Sequence, residues 1–502
     1  MYICPSWEVW SSVINELEKK YFFKPIAVIS HNSELMKKNI ANKDCLFVDE
    51  KCFRIGGDYE KNDYALDEKI LRKISPYKHI TIKMMERYYY GQYSNNSDIQ
   101  LKMYQNLVKY AYSMFVDCKP DIVVSASQPH RVFDYLIQQF CIVDNIRFVA
   151  YTHTNVIGLS YFNSPYGKGL SKSENFSSIS DELQKLIQKT KSDNYEDVKP
   201  KNIGGNSFFS ENNGNSTFFS SILKLFKLNT LFRPVVGRFI VLFRNGSLNT
   251  SYSNLLGLLI QKILKLLSLN ILCIPYYSFF SKKNIYSEVD YIYFSPNFQP
   301  ERTSVPDGGV FWDMITAIDM LHNALPPGWK ILYKEHPRVF KKNSDWDIDR
   351  NIFYYLRLKL RHPNLIFIDK NENVLRIIDS AKVVSAITGS VVWESVIRGK
   401  PIILFGEHWH KNIPGVSQVK SLSECQIIMD KVSHKDFDIE DQEGLINCLA
   451  KLEDNCVDLR SYLYYAKEVR RNDSLNNGRT QHNKFNVDEI TTKLVRAIIA
   501  AC

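Results

Sequence analysis

The chain has 502 residues, 45% of them hydrophobic, and carries 64 Lys and Arg against 54 Asp and Glu, a net charge of +10. At about 100–200 residues per domain this length holds two to four domains, and the hydrophobic content excludes disorder as the default state. The ten cysteines form no CxxC pair, which excludes zinc-finger and thioredoxin-type motifs.

Scattered cysteines in a large chain fit a reducing cytosol. The first residues, "MYICPSWEVW", lack the basic head and apolar core of a signal peptide. The expected location is therefore the cytoplasm, peripheral on the cytoplasmic face of the inner membrane. The placement of charge matters more than its total. No Asp or Glu occurs between Glu211 and Glu288, while that stretch holds nine Lys and Arg. A single basic stretch in an otherwise nearly neutral chain argues against a general nucleic-acid binder and for one local basic surface.

Residues 1–195 read as a first α/β domain. "KPIAVIS" (24–30) is a short strand. "DIVVSAS" (121–127), the helical "HRVFDYLIQQFCIVDN" and the strand "IRFVAYTHT" (146–154) make a βαβ unit and predict a parallel sheet. Ligands then bind at the strand carboxyl ends, where His130 and His153 lie. Either histidine could serve as a base or simply be a satisfied loop residue.

Residues 196–287 comprise a linker and an insert. The stretch to about 215 is rich in Asn, Gly and Ser. Residues 217–280 are basic and apolar. In "NLLGLLIQKILKLLSLNIL" the positions Asn254, Gly257, Gln261, Lys265 and Ser268 form one polar stripe on a helix of Leu and Ile. Lysines interrupt the run, so it is a poor transmembrane span. It fits an interfacial helix with lysines towards anionic headgroups of the inner leaflet, or else a core helix with a solvated edge.

Residues 288–430 alternate regularly: "VDYIYFSPN", a helix in "FWDMITAIDMLHNAL", "KILYKEHP", "LIFIDK", "ENVLRIIDSA", "KVVSAI", "SVVWESVIRG" and "PIILFG". This is a second doubly wound α/β domain. Residues 431–502 read as a polar helical region. Two α/β domains in series place a ligand cleft between them.

Four stretches carry candidate chemistry. At the elbow "TGS" (388–390), Gly389 permits close approach, Thr388 or Ser390 can cap the following helix, and its N–H groups favour a phosphate or carboxylate. Glu394 shares a helix face with Ser390 and can reach a sugar or ribose hydroxyl. Pro401 in "RGKP" excludes a Walker A loop. In "YKEHPR" (333–338), Lys334 and His336 sit at a strand end, with Pro337 holding His336 extended. There they can meet a phosphate, and a protonated His336 can assist its departure. The Pro- and Gly-rich loop 295–309 contains Glu301 and Arg302 and leads to Asp313, all candidate binding or catalytic groups. "SDWDID" (344–349) mimics an Asp-x-Asp metal motif but reads as a solvated loop, so no metal site is expected.

"FQPERTSVPDGGVFWD", "LPPGWKILYKEHP" and "TGSVVWESVIRGKPIILFG" resemble the capsule polysaccharide biosynthesis protein family, which includes capsule Kdo transferases; the match runs over residues 291–415, with a faint echo at "PDIVVSASQPH". The resemblance implies a GT-B-like fold, two Rossmann-like domains facing a cleft, the first on the acceptor side and the second binding a nucleotide sugar. It implies a metal-independent glycosyltransferase without a cofactor. Its donor would be a nucleotide sugar, CMP-linked by analogy, and its acceptor a lipid-linked or growing glycan. His336 and Pro337 match the pair that contacts the cytidine phosphate. Thr388 and Ser390 match the hydroxyl beside the phosphate, Glu394 the helix glutamate, Glu301 the acidic position of the entrance loop, and Asp313 a further acid. The base in the first domain is not placed, so inverting and retaining chemistry both stand. The alternatives are a non-catalytic assembly or export partner and a nucleotide-sugar epimerase.

Overall fold

The computed structural model describes residues 1–53, 64–88, 97–154, 156, 158–163, 179–192, 272–299, 301–336, 339, 350–434, 442–474 and 485–502. Two seven-stranded sheets organise them. The first comprises β1 (Tyr2–Ile3), β2 (Ala27–Ser30), β3 (Leu46–Asp49), β4 (Ile122–Ser125), β5 (Arg147–His153), β6 (Leu159–Asn163) and, from the far end of the chain, β14 (Val457–Asp458). Their order is β14-β6-β5-β4-β1-β2-β3; the five strands from β5 to β3 in this order are parallel, β6 is antiparallel to β5, and β14 is antiparallel to β6. The predicted βαβ unit is present as β4, the helix Val132–Val143 and β5. The extreme N-terminus is an interior strand between β4 and β2: Met1 and Ile3 carbonyls accept from Val124 and Ala126 N–H, and Cys4 N–H donates to the Ile29 carbonyl.

The second sheet contains β7 (Ser281–Lys282), β8 (Tyr291–Ser295), β9 (Lys330–Tyr333), β10 (Leu365–Ile368), β11 (Val383–Ala386), β12 (Ile402–Leu404) and β13 (Val416–Gln418). The order is β13-β12-β11-β8-β9-β10-β7, all parallel. From β10 to β13 this is the 3-2-1-4-5-6 order of a dinucleotide-binding sheet. Helices cover both faces, which is why Tyr291, Ile292, Tyr293 and Phe294 of β8 are all buried and the strands are continuous apolar runs. The fold class is thus α/β with two Rossmann-like units, as expected.

The second sheet begins earlier than residue 288. The helix Ile274–Phe280 and β7 belong to it, with Tyr277 buried in its core. Residues 217–271 of the insert, with the polar-striped positions 254–268, lie outside the described residues. The expected second domain ends in a helix of its own, and the last two helices of the closing region return to the first unit. The helix Leu422–Ser433 packs on the second sheet through Cys425 and Met429, whereas Arg460–Ser474 and Val487–Ala501 return to the first through Tyr462, Leu494 and Ile498. Trp10 Nε1 donates to Tyr462 Oη at 3.1 Å and ties the chain ends together.

The units meet in a small core where Leu183, Leu449 and Leu452 are joined by Trp393 and Trp409. Arg398 of the second unit donates to the Thr190 carbonyl at 3.0 Å. Val305 inserts into a core of the first unit, and Lys83 lies 4.2 Å over the Trp312 ring. No helix among the described residues is long and apolar enough to cross a membrane.

Candidate functional site

The order of the second sheet reverses between β8 and β11, the switch point where open α/β sheets bind ligands. Residues 296–299 leave β8 there, 334–336 leave β9, 387–390 leave β11 and 405–410 leave β12.

Gly389 adopts φ +118°, a conformation strained for any side chain, and a Cβ built on it meets no atom within 4 Å. The elbow therefore opens onto free space. Ser390 starts the helix Val391–Ile397 but makes no side-chain cap. Thr388 does not cap it either. Its hydroxyl donates to the Thr303 carbonyl at 2.7 Å and accepts from Asn297 Nδ2 at 2.7 Å, and Asn297 Oδ1 accepts the Thr388 N–H at 3.3 Å. This corrects the capping expectation: a tertiary lock between elbow and entrance loop has displaced a local bond. No side chain caps the first turn; Val392 N–H donates to the Gly389 carbonyl at 3.3 Å and Glu394 N–H to the Ser390 carbonyl at 3.1 Å.

Glu335, absent from the sequence candidates, organises the β9 end. It is fully buried and accepts from Tyr333 Oη at 2.7 Å, Tyr355 Oη at 3.0 Å and the His336 N–H at 2.8 Å. Arg350, also buried, pairs with it at 3.2 Å and reaches Gln299 Oε1 and the Asn297 carbonyl, each at 3.3 Å. One buried ion pair thus fixes the β8 loop against the β9 end. The His336 ring rests 5.5 Å from that of Phe298 on the β8 loop.

Lys334 is 4% exposed, yet no carboxylate among the described residues pairs with it. Burial lowers its pKa, while the more distant Asp369, Glu335 and Glu372 oppose the shift. A desolvated ammonium without a direct counter-ion is a ready anion partner. Glu394 is half-buried, and desolvation pushes its carboxyl up to about 7, with the Arg398 charge opposing. It therefore titrates near neutrality.

The entrance loop is braced from within. Arg302 Nη1 pairs with buried Asp307 at 2.7 Å, and the Asp307 carbonyl accepts the Glu407 N–H at 2.7 Å. The Glu301 carbonyl accepts the N–H groups of Ser304 and Val305. Arg302 acts electrostatically on Tyr161 of the first unit and on His408 of the second, so it stands at the seam between them. After β12, the His408 and His410 rings are 4.2 Å apart. Burial holds His408 down at about 3 and His410 well below the usual imidazole range, so both stay neutral.

The structure thus gathers Lys334, His336, Thr388, Gly389, Ser390 and Glu394 at one sheet edge, with Glu301 and Arg302 on the loop bound to it. Asp313 stands apart: it is the N-cap of the helix Met314–Asn323, accepting the Ile315 N–H at 3.2 Å. His130 lies at the β4 end of the first sheet, 3.3 Å from Ser127 Oγ and 3.6 Å from Asp134. His153 is held by Ser160 Oγ at 3.2 Å, with burial lowering its pKa. Pro337 and "SDWDID" lie outside the described residues. Among the described residues no cluster of three metal-ligating side chains occurs. Sequence reasoning missed Asn297, Glu335, Arg350, His408 and His410. The strand-end rule applied to "FSPN" and "FGEHWH" would have found Asn297 and the two histidines; nothing local marks Arg350.

No family model matches the chain, and no curated protein matches it. Solved structures similar to it include a beta Kdo 2,4 transferase, KpsC of Thermosulfurimonas dismutans, at 20% identity over 28% of this chain and 43% of that one, TM-score 0.20. The chain thus spans less than half of that protein. Others are the UDP-GlcNAc 2-epimerase of Methanocaldococcus jannaschii in complex with UDP-GlcNAc and UDP, at 10% identity over 90% and 98%, TM-score 0.25, and HepE of Anabaena in complex with UDP-glucose, at 11% identity over 100% of both chains, TM-score 0.23. Likenesses this distant assign no residue role and no activity to this chain.

Proposed function

We propose that this chain is a metal-independent glycosyltransferase of capsule or surface polysaccharide synthesis. It takes a nucleotide sugar, CMP-linked by preference, as donor and a lipid-linked or growing glycan as acceptor. The observation that carries the reading is that one sheet edge holds both an open elbow without a side-chain cap, at Gly389 and Ser390 after β11, and, at the end of β9, the buried Lys334, with which no carboxylate among the described residues pairs. Both favour an anion at a site where a hydroxyl-binding group, Glu394, stands one helical turn away.

In this reading the donor phosphates sit over the elbow N–H groups and Lys334. As the bond between the sugar anomeric carbon and the phosphate oxygen breaks, these groups and His336 stabilise the negative charge gathering on the leaving phosphate. Protonated His336 can supply a proton to it. Glu394 holds hydroxyls, and Arg302 and Glu301 position substrate at the seam. Catalysis is then positioning plus electrostatics, with no metal in the step.

A thermal-shift panel with CMP, UDP, GDP and their sugars tests this, because a ligand of the folded state raises the melting temperature. One base class should stabilise the chain. No shift with any nucleotide rejects the donor site and leaves a non-catalytic partner. His336→Ala should lower donor turnover by about 10²–10⁴-fold with the fold retained; near-normal turnover rejects its role. An epimerised donor appearing without acceptor would replace transfer by epimerisation.

A further inference from the structure

Large hydrophobic side chains are exposed on two neighbouring helices of the second unit, far in sequence from the elbow. Phe279 (82% exposed) and Phe280 lie on Ile274–Phe280, with Leu272 just before it; Phe353 (73%) and Leu360 (82%) lie on Ile352–Arg361. The helices sit side by side on one sheet face, with the Tyr277 and Tyr355 rings 5.5 Å apart. Their inward positions, Tyr277, Tyr354, Tyr355 and Leu358, form core. Their outward positions therefore look away from the sheet on the same side. The spacing 353, 357, 360 puts Phe353, Arg357 and Leu360 on one stripe.

Cations flank these groups. Lys282, Lys283, Arg357 and Arg361 are all exposed. Arg361 pairs with Asp319 at 2.8 Å and Lys283 with Asp369 at 3.8 Å; Lys282 and Arg357 pair with no carboxylate among the described residues. Apolar side chains standing proud between unneutralised cations match a layer of anionic headgroups above acyl chains. The chain also enters this face at Leu272, directly from the stretch that has no Asp or Glu. A second copy of the chain fits less well, since a two-fold contact would set the same cations against one another.

We propose that this two-helix face seats the second unit on an anionic bilayer surface. It would hold the site where lipid-linked acceptors lie, a consequence that rests on the transferase reading; the binding itself does not.

The test is co-sedimentation of the full chain with vesicles of phosphatidylglycerol and phosphatidylcholine, or of phosphatidylcholine alone. The wild type should bind the anionic vesicles and lose binding as salt rises. Phe279→Ser/Phe353→Ser/Leu360→Ser should weaken binding by at least about tenfold. Lys282→Gln/Arg357→Gln, which leaves the packing untouched, should weaken it by about fivefold per charge at low salt. An unchanged nucleotide thermal shift in both variants shows that fold and donor site survive. Absence of wild-type binding, or variants that bind as the wild type does, overturns the proposal. So does a wild-type dimer that the triple variant converts to monomer, which makes the face a self-contact. A missing nucleotide shift with intact vesicle binding instead fails the donor reading alone.

Discussion

Glu394 illustrates how a single residue changes meaning between sequence and structure. In the sequence it is a helix glutamate within reach of an anion site. In the fold its carboxyl is desolvated and lifted to about 7. The consequence for stability has a definite sign. An unfolded glutamate ionises near its ordinary value, so between about 4.5 and 7 the folded state holds a proton that the unfolded state has lost. The folded state is therefore penalised progressively as pH rises through this window, and fully above it. Glu394→Gln should raise the unfolding free energy from chemical denaturation at pH 8, by on the order of 3 kcal/mol or less, and leave it unchanged at pH 4. Equal effects at both values would show that the carboxyl is not desolvated. Gly389→Ala is the complementary case. With φ +118° and free space in front, it should cost about 1–3 kcal/mol through backbone strain rather than collision. Lys334 was legible as a strand-end cation, but its burial was not, because desolvation is a fact about neighbours.

At the level of elements, the functional edge is held by contacts between loops that sequence order keeps far apart. Arg350 reaches Glu335, Asn297 and Gln299 from beyond the β9 loop, and Thr388 ties the β11 elbow to Thr303. Removing one partner of the buried pair leaves the other charge desolvated. Arg350→Met should therefore destabilise the chain by about 3–5 kcal/mol, and Glu335→Gln/Arg350→Met should recover part of that loss. Chemical denaturation of the two variants decides this; a double variant as weak as the single one would deny the pairing. The strands themselves were readable. Continuous apolar runs between Gly, Pro and Asn punctuation marked β4, β5, β8, β9, β10, β11 and β12. The two-residue strands β1 and β7 were not, because so short a run has no period and becomes a strand only through its neighbours' ladders.

Over the whole molecule, the chain closes on itself. The helix Val487–Ala501 crosses back to pack Leu494 and Ile498 beside Trp10, Val13 and Leu17 of the first unit. Leu494 is fully buried, so Leu494→Ala should cost about 2–5 kcal/mol. Calorimetry should show the loss in the transition of the first unit. A shift confined to the second unit would contradict the packing. The seam between units, built from Leu183, Leu449, Trp393 and Trp409, is where Arg302 and the entrance loop stand. Domain positions relative to one another could not be read from a linear pattern, since the contacts that set them join residues more than two hundred positions apart.

What the sequence by itself determined is the α/β alternation, the parallel second sheet and the parallel β4–β5 pair of the first, and the polar clusters at their strand ends. Those follow from local periodicity and turn chemistry, which act over a few residues. Only the tertiary structure decided that Thr388 locks a loop instead of capping a helix, that Asp313 caps one, and that Glu335 is an organiser. It also decided that Glu394 and Lys334 sit in low dielectric. Burial, ion pairing and desolvation depend on atoms brought together from distant parts of the chain, so they come into being only when both sheets are formed and their loops meet at the switch point.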